Sequence, residues 1–192
     1  HYNFSGADSQ SSTVPGMYQY RICENGSSKN ADFKKHLNQY DVIHLDIQWC
    51  MEPAGGADQV VPYISEKTIA ELKEYYPDAL SEDAKSLPEA LSQINALTGK
   101  KFIVIIDEWD CIFHKNFITE EDRQNYISFL SNLLKDHAYV SLSYMTGILP
   151  IAKYSSGSEL NMFIEYTMAS EEKFSEDFGF TESETDMLYR KY

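Results

Sequence analysis

The chain has 192 residues, enough to bury a sizeable core and most economically read as one domain. Hydrophobic residues make up 43% and aromatic residues 14%, which excludes a wholly disordered chain. A formal net charge of −14, from 16 basic and 30 acidic residues, repels nucleic-acid phosphates and argues against a nucleic-acid-binding surface on this segment.

Residues 1–31 are rich in Ser, Gly and Asn and read as irregular, with the α/β domain beginning at residue 32. Asp32 is placed to cap a short helix through Gln39, with Phe33 and Leu37 four apart on one face. Apolar content predicts a strand over residues 40–48, followed by a turn at Glu52-Pro-Ala-Gly-Gly56. A helix is expected from Ser65 to just before Pro77, and a second over 87–97, with Pro88 at a permitted early position and Gly99 as its stop. Lys101-Phe-Ile-Val-Ile-Ile-Asp-Glu-Trp-Asp110 follows. Its run Phe102 to Ile106 reads as a strand buried on both faces, and it passes directly into Asp107, Glu108 and Asp110. Thr119-Glu-Glu-Asp122 predicts a capped helix whose apolar positions are Tyr126, Phe129, Leu130, Leu133 and Leu134. Residues 138–145 form another apolar strand ending at Thr146-Gly147, residues 160–168 suggest one more, and the tail reads as a helix opened by a capping threonine. Strands alternating with helices predict a mostly parallel, doubly wound α/β sheet with flanking helices.

Acids at the carboxyl end of such a strand lie where α/β sheets bind ligands, in the crevice beyond the strand termini. The pattern has the form of a Walker B strand, in which the first acid holds Mg²⁺ through its water shell and the second orients an attacking water. A helix cap or a solvated turn is the plain alternative for Asp107 and Glu108. For Asp110 a structural hydrogen bond at the turn is the favoured reading, and for Trp109 core packing.

His44 and Asp46 share one face of their strand, but with no third ligand nearby a hydrogen-bonded core histidine is the expectation. Asp83-Ala-Lys85 echoes a nuclease acid–lysine pair, yet it lies in loop or helix and not at paired strand ends. The three cysteines, Cys23, Cys50 and Cys111, show neither metal-ligand nor disulfide spacing, which suggests a reducing, cytoplasmic setting. Negative charge beside Cys111 should raise its thiol pKa and argues against a nucleophile. Arg123 and Arg190 are candidate charge-stabilising fingers in an oligomer, with surface ion pairing the plainer role. No apolar run is long enough for a bilayer and no secretory signal is visible. The missing initiator Met hints at a fragment or processed chain.

Four segments carry a resemblance: Asp41-Val-Ile-His-Leu-Asp46, Phe102-Ile-Val-Ile-Ile-Asp-Glu-Trp-Asp110, Tyr144-Met-Thr-Gly-Ile-Leu-Pro-Ile151 and Phe178-Gly-Phe-Thr-Glu-Ser-Glu184. In this order they resemble the predicted AAA-ATPase-like family of bacterial and archaeal proteins over roughly residues 32–192. Gly6-Ala-Asp-Ser9 resembles that family's segment after its phosphate-loop helix. The resemblance implies a P-loop NTPase-like fold that takes ATP and Mg²⁺. It also implies that Asp107 holds the metal, Glu108 is the general base for water, and Thr146 sits at the nucleotide-facing sensor position.

No Gly-Lys-Ser or Gly-Lys-Thr occurs in the chain, and Thr98-Gly-Lys-Lys101 precedes a strand, whereas a phosphate loop follows one. We therefore expect truncation in preference to degeneration, an absent phosphate-loop strand, weak or no ATP binding and no appreciable hydrolysis by this chain alone. Residues 160–168 should then close against the strand at 138–145 or leave a gap there. Two rivals stand beside this reading. One is a non-catalytic module that keeps the fold for a protein partner or self-association; the other is a metal hydrolase built on Asp107, Glu108 and Asp110.

Overall fold

Three strands form the sheet: β1 (Asp41–Asp46), β2 (Phe102–Asp107) and β3 (Val140–Met145) lie side by side in that order, and both pairs are parallel. The computed structural model describes residues 40–115, 118–154, 159–167 and 182–191. Expectations for residues 1–39, and for the threonine before the last helix, lie outside those described. The β1–β2 register runs unbroken from Asp41 opposite Phe102 to Asp46 opposite Asp107. The β2–β3 pair has an irregularity between Phe102 and Ile103, after which Ile103 lies opposite Leu142 and Ile106 opposite Met145. The acid-tipped strand is therefore the middle strand of the described sheet.

Because strand side chains alternate between faces, each strand contributes to two surfaces. On one, Ile43, Leu45, Phe102, Val104 and Ile106 are completely buried. On the other, Val42, Ile103 and Ile105 are half-buried and Leu142 and Tyr144 exposed. The expectation of burial on both faces is thus met fully on one. Topology supplies the reason. Both crossovers step in the same direction across the sheet, and right-handed parallel crossovers that step the same way place their helices on the same face. The described helices supply one layer.

These helices are α1 (Ile47–Ala54), α2 (Ala57–Tyr75), α3 (Leu87–Thr98) and α4 (Glu120–Leu134). Sequence reasoning extended the first strand to residue 48 and followed it with a turn. The strand instead stops at Asp46, whose carboxylate accepts the Trp49 amide at 2.9 Å and caps α1. Gly55, at φ 82°, then ends the helix in the left-handed region that glycine adopts without strain. Helix α2 starts eight residues before the expected Ser65 and carries Pro62 inside it. Val60 and Ile64 are buried upstream of or near that proline, and packing of this stripe outweighs the lost backbone bond.

Helix α3 matches expectation: the Ser86 hydroxyl accepts from the Glu89 amide, and Gly99 at φ 70° closes it. Thr119 and Asp122 form a reciprocal capping box at the start of α4, and all five anticipated apolar positions of that helix are buried.

Beyond β3, α5 (Ile151–Tyr154) is a single turn. The strand expected over 160–168 is not found among its described residues: 159–162 form turns and 163–167 have no regular structure. Leu160 is buried, and the Glu159 carbonyl accepts the Ser131 hydroxyl of α4 at 2.9 Å, so the segment starts anchored to a helix and not to a sheet edge. The outer edge of β3 has no strand partner among the described residues. The chain divides into two units, residues 1–160 and 161–192. The second contains α6 (Glu182–Lys191), which is exposed along its length.

One-sided packing has a measurable consequence. Ile106→Ala, on the covered face, should cost roughly 2–5 kcal/mol of unfolding free energy, whereas Leu142→Ala on the open face should cost under about 1 kcal/mol. Urea unfolding of the two variants checks this; equal losses would mean that both faces are packed alike.

Candidate functional site

Parallel pairing brings the carboxyl ends of the strands together. Asp46 and Asp107 lie opposite each other on β1 and β2, and Thr146, one residue past β3, comes up beside Asp107. Alternation puts all three on the open face. The Thr146 hydroxyl donates to Asp107 Oδ1. The Glu108 amide donates to the same Oδ1 at 3.1 Å and approaches the Thr146 hydroxyl at 3.4 Å. Backbone bonds tie the two strand ends together, with the Thr146 amide on the Ile106 carbonyl at 2.9 Å and the Trp109 amide on the Thr146 carbonyl at 3.0 Å. Asp107, Glu108 and Thr146, singled out from 38 or 39 residues apart in sequence, thus meet within hydrogen-bonding range.

Two details bear on what this arrangement can do. Glu108 has φ 53°, in the left-handed region that costs a non-glycine residue of order 1–3 kcal/mol. Such a conformation persists only where the surroundings enforce it, here through the amide bonds on both sides of the turn. Asp107 meanwhile uses only Oδ1 in the bonds above, leaving Oδ2 aimed at none of them. Among the described residues no group of three or more His, Cys, Asp or Glu side chains gathers to hold a metal by protein ligands alone. One carboxylate oxygen beside a hydroxyl fits Mg²⁺, which keeps several waters and takes one or two carboxylates plus substrate phosphates.

Asp110 is committed elsewhere. It is completely buried, and its Oδ2 accepts the amides of Ile148 at 3.1 Å and Leu149 at 2.7 Å and lies 3.2 Å from His114 Nε2. A metal centre using Asp107, Glu108 and Asp110 together is not what this geometry favours. Trp109 is core, as expected: it is 2% exposed, its ring stands edge-on to Phe113 at 5.5 Å, and its carbonyl accepts the buried Tyr126 hydroxyl at 2.8 Å.

Asp46 caps α1, and among the described residues no group of three or more possible metal ligands forms around it and His44. Arg123 makes an exposed ion pair with Glu120 at 3.5 Å, one helical turn away, and Asp83-Ala-Lys85 lies in the turn before α3. Arg190 is exposed on α6.

The structural hydrogen bond expected of Asp110 at the turn is found, as a double amide contact with the β3–α5 loop. Sequence reasoning missed two features. Asp46 ends β1 as expected of a strand residue, but its cap on α1 was not foreseen. Gly147 is required by space: a Cβ there would stand 2.5 Å from Asp110 Oδ1 and 2.5 Å from the Trp109 ring.

The cysteines near the site are inert by environment. Burial, followed by the charge of Asp110, raises the Cys111 thiol to about 12. Burial, followed by Asp46, raises Cys50 to about 11. The direction expected for Cys111 holds, with desolvation ahead of neighbouring charge.

The three-stranded parallel sheet with its flanking helices is an α/β architecture consistent with a P-loop-like fold. The chain belongs to the AAA-ATPase-like family, described as predicted AAA-ATPase, whose model matches residues 24–156. That span holds the first three resembling segments; Phe178-Gly-Phe-Thr-Glu-Ser-Glu184 lies beyond it. No curated protein and no solved structure matches the chain.

Gly147→Ala should lower stability by about 1–3 kcal/mol, because the buried Asp110 carboxylate and Trp109 ring must shift to admit a methyl group; thermal or urea unfolding reads the loss. Cys50 and Cys111 should resist iodoacetamide at pH 8 in the native state and label promptly in denaturant, as peptide mass spectrometry would show. Their raised thiols also add stability that is fully present below the unfolded value near 9 and is lost as pH rises toward 11–12.

Proposed function

We propose that this chain carries the hydrolytic half of a Mg²⁺-dependent ATPase core. Asp107 is the metal-holding acid, Glu108 the general base and Thr146 the nucleotide-facing hydroxyl. The observation that carries the reading is the meeting of these three at the carboxyl end of the middle strand, with Asp107 Oδ2 uncommitted and Glu108 held in a left-handed turn. Asp107, through its Oδ2, would hold Mg²⁺, which would supply neutralisation of phosphate charge. Glu108 takes the proton of the water that attacks the γ-phosphate in line, and ADP leaves on the opposite side. Thr146 fixes the orientation of Asp107 through its hydroxyl and faces the same crevice.

The 192 residues contain no Gly-Lys-Ser or Gly-Lys-Thr. Without amides wrapping the phosphates and a lysine bridging them, affinity for ATP is weak and turnover by this chain alone stays at background. An acidic net charge of −14 speaks against nucleic acid as a ligand of this segment. Among the described residues no helix is long and apolar enough to cross a membrane; the cysteine usage supports a cytoplasmic setting.

One observation favours a second reading, a non-catalytic module that binds a protein partner or another copy of itself. Leu142 and Tyr144 are 56% and 51% exposed on the open sheet face, and Ile148 is 79% exposed beside them. Titration calorimetry separates the two readings. Fused behind a strand and helix carrying Gly-Lys-Ser, the chain should bind Mg·ATP with an affinity that falls at least about tenfold in Asp107→Asn, and turnover should fall by about 10² or more in Glu108→Gln. Silence of the fused chain toward Mg·ATP would favour the interaction module.

A further inference from the structure

We infer that Asp110 is a positioning residue: its buried carboxylate latches the β3–α5 loop, and through that loop sets the Thr146 hydroxyl on Asp107. The inference rests on the proposed nucleotide-facing role of Asp107 and Thr146 only for its functional meaning; the latch itself stands on geometry.

Asp110 is the last acid of the Asp-Glu-Trp-Asp segment, and Ile148 and Leu149 belong to the Met-Thr-Gly-Ile-Leu-Pro segment. One oxygen of a fully buried carboxylate receives two consecutive amides of that second segment, at 3.1 and 2.7 Å. A bond from a backbone N–H to a charged carboxylate is about twice as strong as one to a neutral acceptor. Two of them on neighbouring residues fix both the position and the direction of the loop.

The loop's other end is Thr146, bonded through its backbone to Ile106 and Trp109 and through its hydroxyl to Asp107. Gly147 joins the two and lies so close under Asp110 and Trp109 that it has no room for a side chain. Four consecutive residues, 146–149, are thereby pinned along one side of the 107–110 turn. Nothing else on the turn contributes as much to this: Glu108 and Trp109 use their amides toward Asp107 and Thr146, and only the Asp110 side chain reaches past Gly147.

The remaining Asp110 oxygen, Oδ1, is buried with no hydrogen-bond partner, while Oδ2 also meets His114. A buried carboxylate with one oxygen idle is costly to keep unless the bonds on the other oxygen matter. An amide in its place would retain a carbonyl for the two loop N–H groups but would turn an N–H₂ toward the closed side near Gly147. An alanine would leave both loop amides without an acceptor.

Native-state amide hydrogen exchange followed by NMR on the 192-residue chain tests this, with Asp110→Ala, Asp110→Asn and the parent compared. In Asp110→Ala the amides of Ile148 and Leu149 should exchange at least about tenfold faster, relative to core amides such as Val104 and Leu130. The Glu108 amide and the Thr146 methyl signals should shift with them. Asp110→Asn should recover part of the protection, because it keeps one acceptor. A uniform acceleration that includes the core, or faster loop exchange with Glu108 and Thr146 unmoved, would overturn the inference. If Asp110→Ala does not fold, the Asp110→Asn comparison decides alone: Ile148 and Leu149 protected as in the parent, with Glu108 and Thr146 shifts unaltered, would count against the latch. The nucleotide reading fails separately, through Mg·ATP affinity indifferent to Asp107→Asn in the loop-bearing fusion, and that result would leave the exchange data untouched.

Discussion

The structure turns on the way the carboxyl end of β2 is closed against the carboxyl end of β3. Two backbone bonds, Thr146 to Ile106 and Trp109 to Thr146, continue the pairing of the strands past the last residue of either. The Asp107 carboxylate then accepts both the Thr146 hydroxyl and the Glu108 amide on a single oxygen. This closure does several things at once. It holds Glu108 in a backbone conformation it would not choose, it leaves the second Asp107 oxygen uncommitted, and it lines up residues 146–149 for the buried carboxylate of Asp110. The carboxylates of Asp107 and Asp110 thus have separate physical tasks, although in composition they look interchangeable.

The sheet that carries this closure is packed unequally. Parallel strands linked by crossovers in one direction receive their helices on one face, and the buried set Ile43, Leu45, Phe102, Val104 and Ile106 records that. The opposite face ends in Asp46, Asp107 and Thr146 and is only half-covered along its apolar part. Among the described residues the candidate site therefore sits at the rim of the less covered face. The same feature gives the interaction-module reading its physical basis, since exposed Leu142 and Tyr144 lie on that face.

Much of this was legible in the residues. The β-branched run before Asp107, the Ser86 and Gly99 helix signals and the Thr119–Asp122 capping box all act through contacts within a few positions, and each formed as its local chemistry dictates. The approach of Asp107 and Thr146 was legible in part, because both end neighbouring strands of a sheet read as parallel. What was not legible depended on longer range. Asp46 reads as a strand residue, which it is, and its second task as the cap of α1 shows only in the Trp49 amide bonded to it. Helix α2 begins upstream of Pro62 because Val60 is buried, and no local signal reports that burial. Residues 160–168 have the apolar content of a strand, but a strand needs a partner, and the Glu159 carbonyl is bonded to Ser131 of α4 instead. The pairing of Asp110 with the Ile148 and Leu149 amides spans 38 and 39 residues, and only the fold brings them together.

Asp107 and Thr146 are bonded as one unit across the two strands. A double-mutant cycle on Asp107→Asn and Thr146→Val, read by urea unfolding, tests this most directly. Residues in direct hydrogen-bonded contact should show a coupling of about 1 kcal/mol or more. Losses that add to within about 0.5 kcal/mol would mean that the two side chains are independent, and would contradict the closure on which the site is built.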